Sequence, residues 1–130
     1  MKILHPKGWA RPKGFSYGVA ASGRNVFVSG IIGSDASGKV ISKDFTAQVR
    51  QALRNIVAVL AEGGAKPEHI VRMTWYLVDK KEYISAYKEI GAAYREVIGR
   101  HFPAMTAVQV AALIDDQAKV EIEVTAIVPE

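Results

Sequence analysis

The stretch "KVEIEVTAIV", residues 119–128, decides the fold class. Read with a period of two, Val120, Ile122, Val124 and Ala126 fall on one face, and Glu121, Glu123, Thr125 and Ile127 on the other. The first face is wholly apolar and has to be covered. The second mixes acids with aliphatic groups, too polar for a core and too apolar for open water. Such a segment is a strand of a sheet that carries helices on one side only.

Working outward, "VRMTWYLV" at 71–78 alternates in the same way, with Val71, Met73, Trp75 and Leu77 on one face. Arg72, Thr74, Tyr76 and Val78 take the other. A proline-led strand follows "HFPAM" and runs over 106–113. Either Thr106, Val108 and Val110, or Ala107, Gln109 and Ala111, share the side of Glu121. Two earlier strands are predicted at 17–21 and 25–32 ("NVFVSGII"), with "SGR" as the turn between them. Asp44 caps a helix whose apolar positions Phe45, Val49, Leu53, Ile56 and Leu60 have helical spacing, and "GG" at 63–64 stops it. Asp79 and Glu82 form a capping box for a second helix that carries Tyr83, Tyr87, Ile90 and Tyr94 and ends near Gly99.

The order is ββαβαββ, an α+β sheet. Right-handed crossovers place both helices on one face. The uncovered, half-apolar face then marks an interface, and a homo-oligomer whose sheets face one another is expected.

The 130 residues suit a single domain, and 49% hydrophobic content can build a real interior. No cysteine is present, which excludes disulfides, thiolate nucleophiles and cysteine-ligated zinc. Neither a secretory signal core nor a run of the ~20 apolar residues a membrane span needs is found, so a cytoplasmic protein is expected. The net charge of +4 has a local source. Residues 1–13 form a basic arm with Lys2, Lys7, Arg11 and Lys13, and the other 13 basic residues meet 13 acidic ones. That cancellation argues against nucleic acid as a partner.

The chemical motifs separate quickly. "GSDASGK" at 33–39 matches GxxxxGK, but Val40 stands where the phosphate-binding loop needs Ser or Thr, and no helix opens before Asp44. It reads as a surface loop. His5, His69 and His101 have no metal-binding spacing, and no nucleophile elbow occurs. Glu121 and Glu123, two apart on a strand, lie roughly 7 Å apart on one half-buried face. There they can do acid–base work, or they can balance Arg72 or a basic group of another subunit.

Taken together, the ββαβαββ order, "VFVSG", the "FPA" strand entrance and "VEIEVTAIV" resemble the Rid (YjgF-like) family over about residues 14–128. The resemblance implies a chorismate-mutase-like homotrimer with small-molecule sites in the clefts between subunits and no metal or organic cofactor. Deaminating members hydrolyse enamines and imines to ammonia and a keto acid. By position, Glu121 matches the water-handling acid, Ser29 and Gly30 match the S-G pair, and Thr106 and Ala107 match the backbone-contact positions. The family tyrosine falls at Ser16, or at Tyr17 after a one-residue slip. Its asparagine becomes Gly91, and the arginine that grips a substrate carboxylate becomes Met105. A thioether carries no charge and accepts only weakly, so Met105 cannot replace that grip. The leading expectation is an enamine or imine hydrolase of altered specificity. A non-catalytic ligand-binding or regulatory trimer is the alternative, and the ribonuclease label that some relatives carry fits the cancelled charge poorly.

Overall fold

The computed structural model describes residues 1–130. The chain runs β1 (Lys2–Leu4), β2 (Gly18–Ala20), β3 (Arg24–Ile31), α1 (Phe45–Glu62), a 3-10 turn at Pro67–His69, β4 (Ile70–Leu77), α2 (Lys80–Ser85), α3 (Tyr87–Val97), β5 (Ala104–Gln109) and β6 (Val120–Val128). The main sheet has the order β3-β6-β4-β5. β4 and β5 are parallel, as a helical crossover requires, and β6 fills the slot between β3 and β4 antiparallel to both. The fold is α+β, with a mixed sheet and three helices.

The helices cover the face that alternation assigned. Val49, Leu53, Ile56 and Leu60 of α1, with Ile90 and Tyr94 of α3, pack on Met73, Trp75 and Leu77 of β4 and the four apolar residues of β6. Asp44 caps α1 by accepting from the Ala47 N–H at 2.9 Å. One polar side chain is sealed inside this core. Gln48 is wholly buried, and its amide donates to the Ser42 and Gln117 carbonyls while its oxygen accepts from the Lys119 N–H. It fastens the entrance of α1 to the entrance of β6.

Four expectations need correction. The predicted strand at 17–21 does not join the main sheet: Gly18–Ala20 pairs with Lys2–Leu4 in a separate two-stranded ladder. The main sheet therefore has four strands, and the basic arm includes a paired segment. Three residues are too few for a period to register in sequence. The second helix is broken at Ala86, whose φ and ψ of −103° and 13° leave helical geometry. The tyrosine spacing bridges the break, with the Tyr83 and Tyr87 rings 5.1 Å apart edge to face. A register shift between Ile70 and Arg72 puts Ile70, not Val71, into the core. β5 ends at Gln109, four residues before the predicted end.

The capping box is also half formed. Asp79 accepts from the Lys81 N–H, but Glu82 turns to the Lys119 ammonium at 3.1 Å. The second sheet face stays uncovered. Phe27 is 73% exposed on it, and Tyr76, Glu121, Glu123 and Ile127 are half-buried. No helix is long and apolar enough to cross a membrane.

Candidate functional site

On the open face the site begins with a bulge. Val28 pairs with Val124 and Ile31 with Ile122, so Ser29 and Gly30 together oppose the single residue Glu123. A bulge of this kind re-aims local groups and bends the strand. The Glu121 carboxylate lies over Gly30, so close that a methyl group at position 30 would collide with it. A side chain there would push the carboxylate aside. Glu121 has no hydrogen-bond or ion-pair partner in the chain, whereas its neighbour Glu123 accepts from the Tyr76 hydroxyl at 2.6 Å. That bond, and the charge of the carboxylate, hold the Tyr76 phenol above its ordinary pKa. Arg72 pairs with neither acid. The two glutamates that looked alike in sequence are therefore different: one is spent and one is free.

Register settles β5. Met105 lies beside Met73, Thr106 beside Thr74 and Ala107 beside Trp75. Thr106 and Val108 thus share the open face with Glu121, while Met105, Ala107 and Gln109 turn toward the helices. These three border a second feature, a cleft of about 840 Å³ between the β4–β5 edge and the α2–α3 pair. Gly91 of α3 lines it as well. Its walls are aromatic, including Trp75, Tyr83, Tyr87 and Phe102. Trp75 is 2% exposed, and its indole N–H has no partner. Burial raises the pKa of both Tyr83 and Tyr94, and the Tyr94 hydroxyl donates to the His101 carbonyl at 2.6 Å.

One subunit cannot bring the two groups together. Ser29 and Gly30 stand on β3 and Met105 and Ala107 on β5, three strand spacings or about 14 Å apart. They also face opposite sides of the sheet. Tyr17 joins neither group. Its hydroxyl donates to the Ala10 carbonyl, and its ring packs against His5, Trp9 and Phe15. Ser16 instead bridges to Ala104, and Gly14 and Phe15 line the cleft. Phe15 was invisible to sequence reasoning because no periodicity marks it.

The remaining motifs are structural. In the 33–39 loop, Asp35 accepts from the Ser37 and Lys39 N–H groups and from the Ser37 hydroxyl, bonds that lower its pKa. His101 bonds the Ile70 carbonyl, His69 accepts from the Lys66 N–H, and His5 reaches the Trp9 carbonyl, so the three sit apart. No group of three or more His, Asp or Glu residues is placed to hold a metal ion.

A four-stranded mixed sheet with helices on one face, a bulged edge under a free glutamate and an aromatic cleft at the far edge define a class of small α+β proteins. The family model described as Endoribonuclease L-PSP matches residues 10–128, and the chain belongs to that family, the Rid (YjgF-like) group. It is 33% identical over 105 residues to human 2-iminobutanoate/2-iminopropanoate deaminase, covering 80% of this chain and 73% of that protein. The Salmonella typhimurium protein of the same name is 33% identical over 108 residues, 81% of this chain and 80% of its own. Among solved structures, the Rid-family protein YyfB from Yersinia pestis superposes with a TM-score of 0.86 at 30% identity, over 98% of each chain.

Proposed function

We propose that this protein hydrolyses a small enamine or imine metabolite in a cleft completed by two subunits of a homotrimer. The observation that carries the reading is the unpartnered Glu121 carboxylate poised over the Ser29–Gly30 bulge. A carboxyl group without a partner on a half-buried face is free to exchange protons with water. The relatives named as imine deaminases supply the reaction class.

In this reading the enamine first tautomerises to the imine. The imine nitrogen takes a proton from solvent, and the water oxygen bonds to the imine carbon while Glu121 takes one water proton and the C=N π pair passes to nitrogen, giving a neutral carbinolamine. Glu121 then passes that proton to the amine nitrogen, the C–N bond breaks to release ammonia, and the hydroxyl proton returns to solvent as C=O forms. Water addition to C=N needs no redox partner. Gly91, Met105 and Ala107 of one subunit form the opposing wall, and β5, as the outermost strand, has backbone groups around Thr106 free to hold the substrate. Tyr17 is left outside the pocket, tied to the arm. The separation of the two half-sites favours this composite arrangement over a site within one chain.

The test uses imines made in situ by an amino-acid oxidase, with semicarbazide trapping whatever is not hydrolysed. Met105→Arg is expected to lower turnover of imino acids with an apolar body by about tenfold, because it sets an unpaired charge where the thioether would meet that body. Wild-type turnover equal to that of the variant would contradict the role given to position 105. Inactivity of both toward every imine tried would favour the non-catalytic binding protein.

A further inference from the structure

The cleft that lost its arginine at position 105 holds another. Arg95 sits one helical turn beyond Gly91, and residues four apart share a helix face. Long helical side chains lean back toward the N-terminus, which carries this one over the earlier turn. Because residue 91 has no side chain, the Arg95 guanidinium comes down into the vacant space. Its Nη1 lies 3.3 Å from where a Cβ at 91 would be. No carboxylate is within ion-pair distance of Arg95.

The charge pattern of the cleft points the same way. Its charged lining residues are Lys13, Lys80 and Arg95, and no Asp or Glu lines it. Unpaired donors without acids suit an anion. Of the three cations, only the guanidinium has the planar fork that matches a carboxylate in two bonds. The rest of the lining, Trp75, Tyr83, Phe102 and Met105, suits an apolar or aromatic body.

We propose that Arg95 is the carboxylate clamp of this cleft, displaced from β5 to α3, and that the ligand is an acid-bearing enamine or imine with an apolar or aromatic body. The proposal rests on the hydrolase reading for the reacting group, but the clamp is testable by binding alone. In this arrangement Gly91 and Met105 are the conditions for Arg95 to act. One removes the side chain that would hold the guanidinium off, and the other leaves the family position open to the ligand's apolar part.

The probes are 3-phenylpropanoate and its neutral amide, titrated at equilibrium and followed by NMR shifts of the wild-type protein. The acid should bind about tenfold or more tightly than the amide, the discrimination one charge-assisted pair provides. Arg95→Met, an exposed change to a good helix former, should bring the ratio to about one. Gly91→Asn, which displaces the guanidinium, should reduce it too. Glu121→Gln should keep the full preference while losing turnover. Equal binding of acid and amide, no binding of either, or a preference that survives Arg95→Met would each overturn the clamp. Turnover without the acid preference sinks the clamp alone, and the preference without turnover sinks the hydrolase reading alone.

Discussion

Glu121→Gln is expected to lower imine hydrolysis by a factor of about 10² to 10⁴, the usual contribution of a positioned proton acceptor. The amide keeps the shape of the side chain and its place over Gly30, but it cannot take a proton from water. Because Glu121 has no partner in the chain, nothing in the fold depends on its charge, and thermal stability should be unchanged. Glu123→Gln is the matched control. Its carboxylate is occupied by Tyr76, so the change should release the phenol toward its ordinary pKa and leave the rate close to wild type. Initial rates from the semicarbazide assay, with circular-dichroism melting of each variant, make the comparison. Equal loss in both variants would mean that the free carboxylate is not the acting one.

The largest stability effect is expected far from that face, at Gln48. Replacement by leucine keeps the volume but removes three part-buried hydrogen bonds, to the Ser42 carbonyl, the Gln117 carbonyl and the Lys119 N–H. At a net worth of about 1 kcal/mol for each hydrogen bond, a loss of about 3 kcal/mol follows. In thermal unfolding this should lower the midpoint by about 10 °C. The apolar gain from leucine is small because the glutamine stem is already buried. A midpoint within about 2 °C of wild type would show that the two loops hold their places without this bridge.

These two residues also mark the limit of what the sequence carried. Alternation along 120–128 and helical spacing along 45–60 fixed which faces meet, because burial imposes a period wherever an element is covered on one side. Gln48 sits within that same helical run, yet a polar residue there reads as surface until its three loop partners are known. The break at Ala86 was hidden by tyrosines whose spacing continues across it. The β1–β2 ladder was hidden by its shortness.

At the candidate site, the two glutamates were legible as a pair on one face, but the difference between them was not. Each of Glu121 and Glu123 stands between a valine and an isoleucine in sequence, and only the Tyr76 hydroxyl separates them: Tyr76 pairs opposite Glu121 in the β4–β6 register, but its hydroxyl reaches diagonally to Glu123. The resemblance put Met105 where the family has an arginine. Arg95, the proposed clamp, gave no signal in the sequence, because its position depends on the absence of a side chain at Gly91, one helical turn away.

If the acid and the aromatic cleft act together across a subunit boundary, two inactive variants should complement one another when mixed. Glu121→Gln removes the acid and leaves the cleft, and Gly91→Phe fills the cleft and leaves the acid. When the two are unfolded together and refolded as mixed oligomers, the account predicts recovery of about a quarter of wild-type turnover. That is the share of randomly paired boundaries that join an intact cleft to an intact acid in a symmetric ring. No recovery in mixed, folded oligomers would contradict the claim, because a site within one chain is broken in every copy.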